Sequence, residues 1–369
     1  MKFSCTQENL LQTLSLVSRV ASRAGNLPIL SHIHLKVEAD AIYFKATNLE
    51  IGITCALRGK IDALGEFTVP AKLFTDYIAF LPKERVDITL EDNNLKVICG
   101  KHVTAFKGLP AADFPLIPPI EDAAMWRVSL PALLEGLEQV AFSISPTETR
   151  PEISGALFSF QDKKLVIAGT DSYRLAEKAL TAESEGGKDL QVIVPLRSLQ
   201  ELIRICAHAK EEVGTATLLV SQNQLAMKLP TLEFVSRLVD GQYPDYRAII
   251  PSRFGTQALI KRDEFVGAIK AAGLFSKAGI YDVGVELNPQ GGATITALNS
   301  QTGEHTSVLD AEIKGAAAKI AFNWKYLLEG AQALRNETIL IKATDSAAPT
   351  LLSELQGGDY FYIVMPIKE

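Results

Sequence analysis

The sequence contains few cysteines, and they are far apart. Its 369 residues include Cys5, Cys55, Cys99 and Cys206, and no two of them form a CxxC pair. Disulfide frameworks and structural zinc sites need cysteines at short, regular spacing, so this pattern excludes both and suits a reducing compartment. We therefore expect a cytoplasmic protein that has no metal ion and no other cofactor.

Long apolar runs and tracts of one charge are also missing. No apolar run approaches the roughly 18 residues that a membrane-spanning helix needs, and residues 1–20 carry Glu8 inside their apolar stretch, unlike a signal peptide. With 47% hydrophobic and 22% charged residues, the chain predicts a well-packed soluble protein of two or three domains. Its formal net charge of -6 argues against a surface that binds nucleic acid tightly everywhere.

Catalytic motifs are the third absence. The sequence has no GxxxxGKS/T phosphate loop, no GxGxxG after a strand, no GxSxG and no HExxH. His32 and His34 are close together, but no carboxylate or cysteine stands nearby in the sequence to complete a metal site, which favours a plain strand face. Ser172 follows Thr-Asp as a nucleophile could, yet no histidine is near it in the sequence. We expect a protein that is not an enzyme.

What the sequence does contain is a threefold repeat with a period near 125 residues. Each copy opens with an amphipathic helix, which begins near Thr6, Ser129 or Lys261. A strand pair then ends in a short polar step at Asn48, Asp171 or Asn299, at intervals of 123 and 128 residues. A strand running into a second helix and an alternating hairpin complete each copy.

The repeat predicts three domains with Pro-bearing connections, at residues 1–120, 127–250 and 256–369. Each contains two helices and about eight short strands. A unit of this composition must bury both helices against its sheets, so we expect an α+β fold with antiparallel sheets. Three unrelated domains of similar size are the alternative, but they would not share landmarks at nearly constant offsets.

Four segments resemble those of bacterial DNA sliding clamps, the beta subunits of DNA polymerase III. They are NLPILSHIHLKV, GTDSYRLA, VDGQYPDYRAIIP and YIVMPIKE, and the resemblance runs from Met1 to Glu369. It implies three repeated clamp domains per chain and a head-to-tail dimeric ring that encircles double-stranded DNA without reading its sequence. Such a processivity factor tethers the replicative polymerase alpha subunit, the clamp loader, and other polymerases and repair proteins, and it needs no membrane.

The resemblance also explains how an acidic protein can hold DNA, because a modestly basic lining can neutralise phosphates while the exterior repels them. The expected DNA-facing residues lie in or beside the helices, and for each of them a solvated helix face is the alternative. They are Arg19, Arg23, Lys72, Arg197, Arg204, Lys210, Lys270, Lys277 and Arg335.

A hydrophobic groove that binds short partner peptides is the second implied site. Its residues come from the middle repeat, from the third repeat and from the terminal strand, which is expected to end in an exposed apolar run; a strand packed into its own core is the alternative for that run. The groove residues are Ile153, Thr170, Ser172, Tyr173, Arg174, Leu175, Pro244, Ile249, Asn323, Tyr326, Ala347, Pro349, Ile363, Val364, Met365, Pro366 and Ile367.

Ring closure is expected to pair an edge strand of the first domain with one from the third domain of a second copy. Phe106, Leu274 and Phe275 are the candidate apolar contacts across that interface. The alternative function is a clamp-fold scaffold that binds peptides without encircling DNA. A hydrolase built on the repeated domains would need a titratable cluster that the sequence does not show, and loss of an activity on mutating Asp171 or Ser172 would favour it.

Overall fold

The repeat is visible in the order of helices and strands. The computed structural model describes residues 1–21, 27–147, 149–161, 163–184, 189–277, 279–355 and 358–367. Within these ranges each copy begins with a strand and a helix, continues with strands that lead into a second helix, and ends with three strands. The prediction of an α+β fold with two helices per copy is confirmed.

The elements fall into three sets. The first repeat contains β1 (Lys2–Thr6), α1 (Gln7–Val17), β2 (His32–Val37), β3 (Ile42–Thr47), β4 (Ile51–Leu57), β5 (Lys60–Ala63), β6 (Gly65–Pro70), α2 (Ala71–Phe80), β7 (Arg85–Glu91), β8 (Asn94–Cys99) and β9 (His102–Lys107). The second contains β10 (Ala124–Ser129), α3 (Leu130–Ala141), β11 (Gly155–Gln161), β12 (Lys164–Thr170), β13 (Arg174–Ser184), β14 (Leu190–Pro195), α4 (Leu196–Ala209), β15 (Thr215–Val220), β16 (Gln224–Leu229) and β17 (Leu232–Arg237). The third contains β18 (Thr256–Lys261), α5 (Arg262–Gly273), β19 (Asp282–Asn288), β20 (Gly292–Asn299), β21 (Gly303–Leu309), β22 (Ala311–Gly315), β23 (Ala318–Asn323), α6 (Trp324–Ala333), β24 (Thr338–Ala343), β25 (Thr350–Glu354) and β26 (Tyr360–Val364).

The described residues form two compact units rather than three. The first holds residues 1–130, 184 and 207–238, and the second holds 131–183, 189–206 and 239–367. The predicted borders at 120–127 and 250–256 therefore stay a prediction, because the division into units follows shared sheets rather than repeats.

In the first unit, strand pairing joins the first repeat to part of the second. One sheet has the strand order β5-β1-β7-β8-β9. The other has the order β10-β15-β16-β17-β4-β3-β2-β6, in which β17 pairs antiparallel with β4. Every strand of both sheets is antiparallel to its neighbours. Because a β-strand is pleated, its successive side chains point to opposite faces of the sheet.

In the second unit, strand pairing joins the second repeat to the third in the same way. Its larger sheet has the order β14-β11-β12-β13-β26-β25-β24-β18-β22, and β13 pairs antiparallel with β26 from the third repeat. Its smaller sheet has the order β23-β19-β20-β21. In both units, a strand from one repeat extends the sheet of the repeat before it.

The helices pack on the sheets by their apolar faces. In α1, Leu10, Leu14 and Val17 are completely buried, as the three- and four-residue spacing of the sequence predicts. In α5, Phe265 and Ile269 do the same. Burial of each such side chain contributes about 1.5–3 kcal/mol to the free energy of folding, so these faces fix the helices on their sheets.

None of the helices in the described ranges is both long enough and apolar enough to cross a membrane. Three or more potential metal-binding side chains do not cluster anywhere in the described part of the chain.

None of the four cysteines forms a disulfide and all four are buried, so we expect them to be unreactive in the folded protein. Burial raises the pKa of the Cys206 thiol to about 12. Burial and the nearby Asp87 carboxylate raise the pKa of the Cys5 thiol to about 12. Since the thiolate is the reactive form, Ellman's reagent at pH 8 should modify none of the four within minutes, and all four after unfolding in guanidinium chloride. Rapid modification of the native protein would contradict this assignment.

Candidate functional site

A tight turn between β12 and β13 begins the candidate groove. The Thr170 hydroxyl donates to the carbonyl of Arg174 at 2.6 Å, and the Asp171 carboxylate accepts the backbone N–H groups of Tyr173 and Arg174 at 2.9 and 3.0 Å. Ser172 adopts a φ of 77°, in the left-handed region, which a short polar residue tolerates when neighbouring side chains hold the turn. The turn leaves the Tyr173 side chain 63% exposed.

Arg174 ties this turn to α6. Its Nε donates to the Asp171 carboxylate at 3.0 Å, and its Nη1 donates to Glu329. The guanidinium lies over the ring of Tyr326, 4.4 Å from the centroid, and the Arg174 side chain is 11% exposed. A charge this far from water needs such partners, so the arginine is held in one orientation and holds its partners in turn. Tyr173 also stacks on Tyr326, with centroids 6.4 Å apart.

The segment after β26 is fixed against the same turn. Within the sheet, Arg174 is opposite Val364. Beyond the strand, the N–H of Met365 donates to the carbonyl of Tyr173 at 2.9 Å, and the N–H of Ile367 donates to the carbonyl of Ala321 at 2.8 Å. Residues 365–367 are thus held by the backbone at both ends while their side chains stay half-buried.

A buried apolar cluster lies beneath this surface. Its members come from five strands and from the segment after Val239, and they are Leu157, Ala168, Leu175, Ile193, Tyr243, Tyr246 and Ile363. The two tyrosine rings meet edge to face at 6.2 Å. Burial raises the pKa of both phenols, and in Tyr246 the hydrogen bond to Glu177 adds to this effect. Both tyrosines are therefore neutral near pH 7.

The predicted groove residues fall into three classes of solvent exposure. The buried residues, on the floor of the site, are Ile153, Thr170, Leu175, Ile363 and Val364. The half-buried residues are Arg174, Pro244, Asn323, Tyr326, Pro349, Met365, Pro366 and Ile367. The exposed residues are Ser172, Tyr173, Ile249 and Ala347.

The expectation of an exposed apolar run from Ile363 to Ile367 is wrong for its first two residues. Ile363 and Val364 are 0% exposed, because β26 is an interior strand between β13 and β25 and both of its faces are covered. The apolar surface open to a ligand is formed instead by the half-buried Met365, Pro366 and Ile367.

Asn323 also has a local structural role, since its side chain caps α6 by accepting the N–H of Lys325 at 3.0 Å. Farther along this side of the site, Ala347 and Ile367 line a cavity of about 570 Å³ together with Ile320 and Ala321. The site therefore consists of two parts, an apolar floor beside Tyr173 and a cavity beside Ile367.

Several residues of the site were not predicted. Glu329 and Phe142 both contact Arg174, the latter 5.5 Å from the guanidinium carbon, and Tyr243 and Tyr246 form part of the floor. The tyrosines stand inside the segment VDGQYPDYRAIIP, which was already singled out, and the spacing of two aromatic residues beside a proline was the available signal. Glu329 had no such signal, because its partner is 155 residues away in the sequence.

The predicted DNA-facing cations differ in their solvent exposure. Seven are exposed, namely Arg19, Lys72, Arg197, Lys210, Lys270, Lys277 and Arg335. Arg204 is half-buried, and Arg23 lies outside the described residues.

Three of these cations bind carboxylates of the same chain. Lys72 pairs with Asp76 at 2.5 Å, Arg204 with Glu201 at 2.6 Å and Arg335 with Glu138 at 3.3 Å. The positive potential offered by these three is thereby reduced.

The three predicted interface residues do not share one environment. Phe106 is 4% exposed and packs edge-on against Phe74 at 5.2 Å and Tyr77 at 5.4 Å within its own unit, and its place at an interface between copies stays a prediction. Leu274 is 79% exposed, whereas Phe275 is half-buried and stacks on His305 at 5.8 Å.

Family sequence models match almost the whole chain in three consecutive segments. The DNA polymerase III beta subunit N-terminal domain matches residues 1–118, the central domain matches 128–245 and the C-terminal domain matches 247–368.

Individual relatives are similar over their full length. The beta sliding clamp of Synechococcus elongatus is 32% identical over 376 residues, covering 100% of this chain and 99% of that protein. The beta sliding clamp of Vibrio cholerae is 29% identical, with 100% of both chains covered. Among solved structures, the Pseudomonas aeruginosa sliding clamp bound to griselimycin superposes with a TM-score of 0.95 at 28% identity over 100% of both chains. The Bacillus subtilis clamp gives 0.95 at 24% identity, over 100% of this chain and 99% of that one, which supports the fold.

Proposed function

The chain belongs to the DNA polymerase III beta subunit family, and from this premise we propose that two copies close head-to-tail into a ring that slides on duplex DNA. The function is that of a DNA sliding clamp, which keeps a polymerase on its template. Its role is non-catalytic, and we place it in the cytoplasm, a reducing compartment that suits four cysteines without disulfides. The observation that carries this proposal is the threefold repeat, matched in order over nearly the whole chain.

Two unsaturated sheet edges support ring closure. Strand β9 pairs with β8 alone and β21 pairs with β20 alone among the described strands, so each leaves one row of backbone groups without a strand partner. Val103 on β9 is 62% exposed and Val308 on β21 is 69% exposed. A strand edge that carries apolar side chains is a template for pairing with another chain, and β9 of one copy with β21 of another would pair head-to-tail.

The positions of the basic residues support a ring lining that attracts DNA weakly. Arg19, Lys210, Lys270 and Lys277 are exposed cations in or beside helices, while the chain as a whole is acidic at -6. A few unpaired cations neutralise phosphates without the tight, salt-resistant binding that would stop sliding. Topology then holds the ring on DNA, and no base contact is needed.

The groove at Tyr173 supports a role in recruiting partners through short peptides. Its floor is apolar and preformed, its rim offers Arg174 and Ser172 for polar contacts, and half-buried Met365 can adapt to different side chains. We assign to it the docking segments of the replicative polymerase alpha subunit, the clamp loader, and other polymerases and repair proteins. The griselimycin-bound clamp of Pseudomonas aeruginosa is a relative that binds a ligand.

Negative-stain electron microscopy at micromolar concentration tests the ring directly. Closed rings with a central hole and a pseudo-sixfold outline are the expected result. Isolated crescents that persist as the concentration rises would favour the second candidate, a clamp-fold scaffold that binds peptides beside DNA rather than around it.

The double variant Arg19→Glu/Lys270→Glu reverses two exposed charges of the proposed lining. It should shorten the half-life of the protein on circular DNA at least about fivefold, because each substitution removes a phosphate contact and adds repulsion. The matched control is Arg58→Glu with Lys164→Glu, which alters net charge equally at exposed positions outside the helices. Gel filtration of loaded circles over time measures the half-life. Equal retention of both double variants would move the lining to other residues.

A further inference from the structure

The junction where β17 joins β4 is built like the junction where β13 joins β26, but its surface has a different chemistry. In the second unit, a cross-strand row passes through Leu157, Ala168, Glu177 and Phe361. The corresponding row in the first unit passes through His34, Lys45, Thr54 and Glu233. His34 and Lys45 stand 123 residues before Leu157 and Ala168, the same offset as between Asn48 and Asp171.

The turns at the two junctions have the same hydrogen bonds. The Thr47 hydroxyl donates to the carbonyl of Ile51 at 2.9 Å, and the Asn48 side chain accepts the N–H groups of Glu50 and Ile51 at 3.0 and 2.7 Å. Leu49 has a φ of 75°, next to 77° for its counterpart Ser172. The two junctions thus share one backbone design, and the difference between them lies in the side chains.

A cavity of about 670 Å³ lies over the polar row of the first unit. One wall is the sheet, with His34, Lys45 and Thr54, and the other is the segment 111–119, which is rich in proline and apolar residues. That segment is held in place because Phe114 stacks on His34 at 5.1 Å. Ile117 covers Gly52, where an added Cβ would lie 2.8 Å from its Cγ2.

The charged side chains that line this cavity, other than Lys45, each have a partner of opposite charge. Lys36 binds Glu38 at 2.6 Å, Lys228 binds Glu233 at 3.4 Å, and Glu66 lies 3.3 Å from His34. The sequence predicts no carboxylate beside His34, but the pairing of β2 with β6 brings Glu66 to it.

Lys45 is half-buried, lines the cavity, and has no ion-pair partner in the described part of the chain. The Thr54 hydroxyl is opposite it in the register of β3 and β4. A half-buried amine with a hydroxyl beside it fits one carboxylate, and the flanking glutamates disfavour a polyanion.

We propose that this cavity binds a short acidic peptide segment, whose carboxylate pairs with Lys45 while a neighbouring apolar side chain packs against Phe114 and Ile117. The choice of a peptide as ligand rests on the proposed function, in which the corresponding surface where β13 pairs with β26 is a peptide groove. The first junction would then recruit ligands of different chemistry from those that bind beside Tyr173.

The test is a titration of the full-length protein, labelled at isoleucine methyl groups, with acetyl-Leu-Glu-Leu-amide. We expect a saturable shift of the Ile117 methyl resonance and no shift of the Ile249 resonance. The same peptide with glutamine in place of glutamate should bind at least tenfold more weakly, because the carboxylate supplies the contact with Lys45. This comparison uses the unaltered protein and does not depend on the folding of a variant.

Substitutions of Lys45 then test whether this residue binds the carboxylate of the peptide. Lys45→Met should weaken binding at least tenfold, and Lys45→Arg should retain it. Lys101→Met is the matched control, since Lys101 is exposed and lies outside the cavity lining, and its effect should stay within about twofold.

Three outcomes would overturn the proposal: equal binding of the glutamate and glutamine peptides, a shift confined to Ile249, or an equal response to inorganic phosphate, which would make the cavity a general anion site. A separate titration with a polymerase-derived peptide distinguishes the two assignments. If that peptide leaves Ile249 unmoved, the proposed groove fails, whatever happens at Ile117.

Discussion

Deletion of residues 365–369 is expected to weaken binding of a polymerase-derived peptide at least 100-fold, a loss of about 2.7 kcal/mol, while leaving the dimer intact. The deletion removes Met365 and Ile367, whose N–H groups fix the segment to Tyr173 and Ala321, and with them the half-buried apolar surface of the groove. Strand β26 ends at Val364 and keeps its pairing with β13, so the sheet and its floor should survive. Fluorescence anisotropy of a labelled peptide measures the affinity.

The matched control is deletion of residues 368–369 alone, which leaves both backbone anchors in place and should change the affinity less than about threefold. Sedimentation velocity on both truncated proteins reports the dimer. Unchanged affinity after the longer deletion would remove residues 365–367 from the binding surface and confine the groove to the turn at Tyr173. A loss of the dimer would instead show that the segment has a structural role.

Leu274→Asp is expected to convert the dimer into monomers at micromolar concentration. Leu274 is 79% exposed just after α5, and its neighbour Phe275 stacks on His305 of β21, the edge strand that the third repeat offers for ring closure. In the proposed ring this side chain is buried at both interfaces, and an aspartate there would have to lose its hydration without gaining a partner. We expect the dissociation constant to rise at least 100-fold, as measured by sedimentation velocity over a concentration series.

Leu64→Asp is the control for this substitution. Leu64 is 59% exposed and lies between β5 and β6, next to the opposite edge of the sheet that ends in β9. The variant should remain dimeric. Should Leu274→Asp also remain dimeric, the closing interface would have to be sought away from α5.

Periodic patterns in the sequence predicted the architecture because each repeat encodes its elements locally. The spacing of Leu10, Leu14 and Val17 defines a helix face, and the alternating hairpin residues near Asp92 and Asn93 define a two-residue turn. Both turn residues have positive φ values, 46° and 60°, as a type I′ turn requires. These features depend on near neighbours in the chain, so a single sequence was sufficient to predict them.

Exposure within the candidate site could not be predicted in the same way. Phe106 and Val103 both stand on edge strand β9, yet alternation turns Phe106 towards Phe74 in the core and Val103 towards solvent. Ile363 was assigned to an exposed surface because its pairing partners in β13 and β25 were unknown. The partners that decide such cases are distant in the sequence: Phe74 is 32 residues from Phe106, and Glu329 is 155 residues from Arg174.

The pairing of β13 with β26 also bears on how the protein is made. Arg174 and Val364 are opposite each other in the sheet, about 190 residues apart in the chain. At roughly 5–20 residues per second, a ribosome needs on the order of 10–40 seconds to deliver the second strand after the first. During that interval the β13 edge has no β26 beside it and is open to pairing with other nascent chains. If partners dock in the groove proposed beside Tyr173, that docking must wait for the same event, and we then expect recruitment of a polymerase only by protomers whose synthesis has passed β26.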